Sequence, residues 1–177
     1  MLIELKNLEN MPVGSFAEQT LLGKVDSAII SAEEAKLLGV VVKIGGWFPK
    51  YKVVSMQDIV DIDQNGVAVR SEDSLVDEDE IVRIAKIIKQ KFNLIGLHAK
   101  NQKNQNLGRI SNALFEVQSG DIMRIYVNNL FQERIFERSR IVKIEPDKIV
   151  IKDNPEVQEK IPSKLTNLAV TQKAETA

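Results

Sequence analysis

The residues of this chain that could do acid–base or nucleophilic chemistry are few and scattered. His98 is the only histidine, and there is no cysteine. None of the serines lies in a Gly-x-Ser-x-Gly context, and no second histidine is available for a triad. Asp61 and Asp63 share one side of a predicted strand, but the solvent face of a strand explains both carboxylates without catalysis. We therefore predict that the protein is not an enzyme.

Motifs for metals and cofactors are missing from the sequence as well. The acidic run at residues 77–80 lacks the spaced oxygen ligands of a calcium loop. Neither a zinc-type spacing nor a glycine-rich phosphate loop occurs. The acids of the run are better explained by the start of a helix, whose dipole they complement. We predict no metal site and no cofactor.

Composition bounds the architecture and the compartment. The chain has 177 residues, 44% of them hydrophobic, and a formal net charge of −1. That length suits two domains of about 80 residues each. The first ten residues lack the pattern of a signal peptide, and no apolar run approaches the roughly 20 residues that span a bilayer. We therefore expect a cytoplasmic protein without membrane insertion.

A repeat organises the chain. Residues 22–30, Leu-Gly-Lys-Val-Asp-Ser-Ala-Ile-Ile, return at 107–115 as Leu-Gly-Arg-Ile-Ser-Asn-Ala-Leu-Phe. The stretches 23–42 and 108–127 are equally long, and the second carries a turn signal, Gln-Ser-Gly-Asp, at its middle. We interpret both stretches as β-hairpins. The alternative for the first is a short helix, because Ser31 and Glu34 could form a capping box.

The remaining elements of each copy follow from the same logic. Residues 58–63 alternate polar and apolar side chains, and Asn65-Gly66 is a strong hairpin signal. Residues 141–145 match this strand in the second copy, with Pro-Asp-Lys in place of the Asn-Gly turn. Between the copies, apolar residues at helical spacing predict one amphipathic helix over residues 77–91.

This pattern resembles the PRC-barrel domain. The resemblance rests on Gly-Lys-Val-x-x-Ala from residue 23, Val-Val-Val at 40–42, a glycine-bearing loop, Gln-Asp-Ile-Val from residue 57 and Asn-Gly-Val-Ala-Val at 65–69. Domains of this family occur in the photosynthetic reaction-centre H subunit and in a ribosome-maturation factor. The first copy resembles the family more closely than the second, which departs at the glycine loop and the Asn-Gly turn.

The resemblance implies a mostly β protein made of two tandem small PRC-like β-barrels joined by one amphipathic helix. The domains would be residues 1–76 and 93–154, with the linking helix at 77–92 and a disordered tail at 155–177. It also implies a non-enzymatic adaptor that binds protein partners. The alternative is an RNA- or ribosome-associated factor of the ribosome-maturation kind. The sequence leaves the oligomeric state open.

The glycine-bearing loop of the first copy is the candidate site for a protein partner. It contains the only tryptophan, and we name Trp47, Phe48, Lys50 and Tyr51 as partner-binding candidates because Trp and Tyr are enriched at binding hot spots. The alternative is that Trp47 and Phe48 fold back and plug the end of the barrel. We predict Trp47 to be the more exposed of the two.

A basic stretch is the candidate site for nucleic acid. Residues 57–80 hold nine acids and one base, whereas residues 81–115 hold seven bases and no acid. Lysines and amides in the second stretch could follow a phosphate backbone. A solvated helix face and a polar connector explain the same residues. The possible nucleic-acid-binding residues are Lys86, Lys89, Lys91, Lys100 and Lys103.

Overall fold

A computed structural model describes residues 1–130 and 132–153, so the expected tail lies outside the described residues. The protein is mostly β, as predicted. Within the described residues, two helices, α1 (Leu5–Leu8) and α2 (Val82–Lys89), and two 3-10 turns accompany the strands. In chain order the strands are β1 (Leu2–Glu4), β2 (Pro12–Ser15), β3 (Leu21–Ser31), β4 (Lys36–Ile44), β5 (Lys50–Ser55), β6 (Ile59–Asp63), β7 (Gly66–Val69), β8 (His98–Asn101), β9 (Asn106–Glu116), β10 (Ile122–Asn128), β11 (Glu133–Glu137), β12 (Ile141–Ile144) and β13 (Lys148–Ile151).

The strands form two sheets with one topology. The first sheet has the order β5-β4-β3-β2-β7-β6, and the second has β11-β10-β9-β8-β13-β12. Each contains one parallel pair, β2 with β7 and β8 with β13. The predicted repeat of the strand arrangement is therefore confirmed. Among the described residues, neither sheet closes by hydrogen bonds into a barrel, because β5 and β6, like β11 and β12, are the two ends of an open path.

The first stretch of the repeat is a hairpin, and the helical alternative is wrong. Ser31 Oγ accepts a hydrogen bond from the Glu34 N–H at 3.2 Å, as a capping residue would. The helix does not continue, because Ala35 adopts a left-handed conformation with φ +52° and β4 begins at the next residue. Gly120 has the equivalent place in the second hairpin, with φ +73°. The two copies thus use one turn geometry.

The hairpin predicted at Asn65-Gly66 joins β6 and β7, with Gln64 and Asn65 in the turn and Gly66 as the first residue of β7. Asp63 holds it together: its Oδ1 accepts hydrogen bonds from the Asn65 N–H at 2.7 Å and from the Gly66 N–H at 3.2 Å. The Asn65 N–H, followed by the Asn65 side chain, lowers the pKa of the Asp63 carboxyl below its ordinary value. Asp63 therefore stabilises a turn.

This arrangement predicts how stability depends on pH. A carboxyl whose pKa is lower in the folded state stabilises the fold above its unfolded pKa, near 4, and loses that contribution as pH falls through the folded pKa. We expect Asp63→Asn to melt at a lower temperature than the wild type at pH 7. The difference between the two proteins should shrink as pH falls below about 4. Thermal melts from pH 7 to pH 2.5 would measure it, and a constant difference would contradict this role.

The two copies meet at their hairpin turns. Lys36 and Asp121 form an antiparallel bridge, and their side chains form an ion pair at 3.4 Å. The Leu37 N–H donates to the Gly120 carbonyl at 2.8 Å, and the Ile122 N–H donates to the Ala35 carbonyl at 3.1 Å. Each bond is the repeat counterpart of the other, so the contact is close to two-fold symmetric. One apolar core cluster runs through both halves.

The N-terminal segment is a feature that the sequence did not predict. β1 pairs with β9 of the second sheet, and Ile3 lies opposite Phe115. The short helix α1 follows, with Leu5 and Leu8 buried. The start of the chain therefore crosses to the second sheet before β2 enters the first.

The linking helix is shorter than predicted. It begins at Val82, because residues 77–80 form a separate turn and Asp77 forms an ion pair at 2.9 Å with Lys52 of β5. The acids of this run therefore lie outside the first turn of α2. Ile84 is buried against Ile29 and Val53 of the first sheet. In the part of the chain that the structure describes, no helix has the length and apolar character needed to cross a membrane.

Candidate partner-binding loop

The aromatic loop (residues 45–51) is positioned by the β4–β5 pair. Ile44 lies opposite Lys50, and Lys43 lies opposite Tyr51, so the two strands fix both ends of the loop. Gly45 has φ +84°, a conformation that glycine adopts without strain and that turns the chain out of β4. The loop therefore projects from a rigid pair of strands, which is a common arrangement for binding residues.

The aromatic side chains of this loop face solvent. Trp47 is 92% exposed, Phe48 is 88% exposed and Tyr51 is 51% exposed. Trp47 is the more exposed of the pair, as predicted, although by a small margin. The alternative in which Trp47 and Phe48 plug the end of a barrel is wrong. Large apolar side chains at this exposure add nothing to the core, so Trp47 and Phe48 stay candidates for contact with a partner.

Exposed lysines lie at the base of the aromatic loop. Lys24, Lys43 and Tyr51 are in register on three neighbouring strands, which brings three chain segments together at the base of the loop. Lys50 is also exposed. Between Glu34 and Asp58 the sequence has no acid but four lysines. The candidate site thus has aromatic side chains at its tip and lysines where the loop leaves the sheet. Lys24 belongs to it through strand pairing, which the spacing of residues in the sequence did not indicate.

The second copy has an exposed apolar residue at the equivalent loop. Leu130 lies between β10 and β11 and is 93% exposed. Arg109, in register with Asn128, and Arg134, in register with Val127, flank this loop. The alignment of the two copies could have indicated Leu130, because this residue aligns with the aromatic loop of the first copy. Its exposure could be learned only from the structure.

The lysines proposed for nucleic acid fall on two separate parts of the fold. Lys86 and Lys89 are exposed on α2, which packs against β3 of the first sheet, and Lys91 follows the helix. Lys100 and Lys103 belong to the β8–β9 hairpin of the second sheet. Lys100 Nζ donates to Asn104 Oδ1 at 3.2 Å within that hairpin. The structure therefore gives two basic regions on different elements.

The side chains with potential for acid–base chemistry, His98 and Asp61, lie within strands of the two sheets. His98 lies in β8 with Lys148 and Arg109 in register on the two neighbouring strands. Asp61 Oδ1 accepts from the Ile62 N–H at 2.9 Å. Within residues 1–130 and 132–153, no three acidic or histidine side chains form a group that could hold a metal ion.

The aromatic loop lies in the part of the chain that is similar to a known family. The family model of the PRC-barrel domain matches residues 1–76. The first sheet and the aromatic loop therefore lie within the residues that match this model. A search of the curated proteins found no match. The PRC-barrel match ends before α2, whereas the second sheet repeats the strand order of the first.

Proposed function

We propose that the protein is a non-enzymatic cytoplasmic adaptor that binds a protein partner through the aromatic loop. The observation that carries this proposal is the exposure of Trp47 and Phe48 on a loop anchored at both ends by paired strands. Burying an exposed Trp-Phe pair in a partner removes a large apolar area from water at a small cost in side-chain entropy. The lysines at the base of the loop favour a partner whose pocket has an acidic rim.

The test is quantitative crosslinking in the native cell with a matched control. Phe16 is an exposed aromatic residue of the same domain, outside the aromatic loop. We expect Trp47→Ala to lose a crosslinked protein that both the wild type and Phe16→Ala retain. A crosslinking pattern that is equal in all three proteins would contradict the proposal.

An RNA- or ribosome-associated role is the second candidate, and the exposure of Lys86, Lys89 and Lys103 supports it. In that role, each phosphate contact would release counterions, so the logarithm of the affinity should fall linearly with the logarithm of the salt concentration.

Reversing the charge of the β8–β9 hairpin tests this second role. We expect the double substitution Lys100→Glu and Lys103→Glu to weaken binding to unrelated RNA sequences alike and to reduce the salt slope by about 0.7 for each single-stranded phosphate contact that is lost. Filter binding of a labelled single-stranded RNA from 50 to 300 mM salt would measure it. The absence of binding at low salt would leave the adaptor proposal alone.

A further inference from the structure

The two copies differ in what covers the long strand at their centre. In the second sheet, β1 pairs with β9 in the antiparallel sense, with Leu2, Ile3 and Glu4 opposite Glu116, Phe115 and Leu114. Ile3 is buried there. The Asn112 side chain donates to Glu4 Oε2 at 2.9 Å and accepts from the Lys6 N–H at 3.3 Å. An extended segment with two adjacent aliphatic residues thus completes the edge of β9.

The corresponding edge of β3 has no strand on it. The hydrogen bonds between β3 and the segment that precedes it in the chain end at Val25. The Val25 carbonyl accepts from the Asn10 N–H, and the Val25 N–H donates to the Met11 carbonyl. Beyond that point, no strand among the described residues pairs with β3 on the side away from β4. The repeat counterparts of the β9 residues that β1 covers are Ile29, Ile30 and Ser31, whose side chains are buried, whereas Asp26 and Ser27 before them are exposed. β3 therefore presents an open strand edge where its repeat counterpart is covered.

This edge forms one side of a cavity of about 510 Å³, which is lined by all five residues 26–30. The opposing walls are apolar: Leu5 and Leu8 from α1, Ile87 and Ile88 from the end of α2, and Phe92 and Leu94 beyond it. The charged lining residues balance, with Lys6 and Lys91 against Glu9 and Asp26. A volume of several hundred Å³ with apolar walls suits aliphatic side chains on a short extended segment.

The repeat explains why the cavity exists. Ile87 and Ile88 are the sequence counterparts of Leu2 and Ile3, at the same offset of 85 residues as the two hairpins. In this half they belong to α2 and pack beside β3 as helix residues, so they supply side chains but no main-chain pairing. The edge that β1 completes in the second sheet is consequently left incomplete in the first.

We propose that the open edge of β3 accepts an extended strand from a partner protein, antiparallel to β3, with one aliphatic side chain in the cavity, as Ile3 of β1 is buried beside β9 while Leu2 is exposed. Main-chain hydrogen bonds would provide the affinity, and the apolar walls would select the aliphatic side chain, as in other cases of strand addition to a sheet edge. This site is separate from the aromatic loop. The chain's own β1 on β9 defines the chemistry of the occupant.

The probe is a synthetic peptide with the sequence of residues 1–9, labelled at its C-terminus and added to the full-length protein. We expect saturable binding by fluorescence anisotropy and slower amide hydrogen exchange in residues 26–31. The same peptide with aspartate in place of its isoleucine should not bind, because a carboxylate would be buried in the apolar cavity.

Ser27→Arg tests the position of the site. Ser27 lines the cavity and is exposed, so a large side chain there obstructs the edge without disturbing the core. We expect the peptide to bind this variant roughly tenfold more weakly or worse, since part of the cavity is filled before binding. Thr20→Arg is the matched control, because Thr20 is exposed in the connection between β2 and β3, outside this cavity, and this variant should bind as the wild type does.

Two results would overturn the proposal. One is the absence of saturable binding to the wild type. The other is a change in hydrogen exchange confined to residues 111–117, which would show that the peptide only replaces β1 on β9. Unchanged melting temperatures of both variants would establish that any loss of binding arises from the site.

Discussion

Gly108→Ala is expected to lower the free energy of unfolding by about 3 kcal/mol, more than the same substitution at Gly23 or Gly46. Gly108 has φ +134°, a conformation that a residue with a Cβ rarely adopts. A Cβ at this position would also clash with the carbonyl oxygen of Asn128 on the neighbouring strand. Main-chain atoms on both sides are held by strand pairing, so neither can move away cheaply. Urea denaturation would measure the change.

The same substitution at Gly23 and at Gly46 serves as a control for this prediction. Gly23 is the repeat counterpart of Gly108, and a Cβ there would lie 2.5 Å from the Lys43 carbonyl oxygen, but its φ is not in the left-handed region. We expect Gly23→Ala to cost about 1–2 kcal/mol, less than Gly108→Ala, because only the close approach is violated. A Cβ added at Gly46 would meet no described atom within 4 Å outside the adjacent residues, so Gly46→Ala should change stability by about 0.5 kcal/mol or less. Equal losses in all three variants would show that close strand packing is not the cause.

Trp47→Ala is expected to weaken partner binding by about 2 kcal/mol or more, which is roughly 30-fold, and to leave the melting temperature unchanged. The reason is that Trp47 is 92% exposed in the free protein and makes no contribution to either core cluster. A residue of this kind loses water-exposed apolar area only when a partner covers it. Titration of the purified partner, by calorimetry, would give the affinity of both proteins.

The single tryptophan also gives a direct signal for docking. Because Trp47 is the only tryptophan, its fluorescence emission should shift to shorter wavelength when a partner removes it from water. Phe16→Ala should leave both the shift and the affinity as in the wild type. Retained affinity in Trp47→Ala, together with a marked loss of thermal stability, would contradict the binding role and indicate a structural one.

The repeat and most of its local structure could be predicted from the sequence alone. Asn65-Gly66 indicated the β6–β7 hairpin, although of these two residues only Gly66 adopts positive φ. The equal lengths of the two hairpin stretches favoured a turn over a helix at Ser31. The aromatic loop was also identifiable, since two glycines and a proline exclude regular structure around Trp47. These features depend on the conformational preferences of neighbouring residues, which the sequence states directly.

The tertiary structure decided what depends on distant residues. The packing of the strands around Trp47 sets whether this side chain faces solvent or the core. Strand register sets whether Lys24 lies beside Lys43 and Tyr51. The pairing of β1 with β9 joins segments more than 100 residues apart, and nothing in Leu2-Ile3-Glu4 distinguishes it from a segment that pairs with β3. Ile87 and Ile88 have nearly the same side chains as Leu2 and Ile3, yet they are helical, because the preceding α2 residues bury Ile84 against the first sheet. Long-range packing therefore left one strand edge covered and its repeat counterpart open.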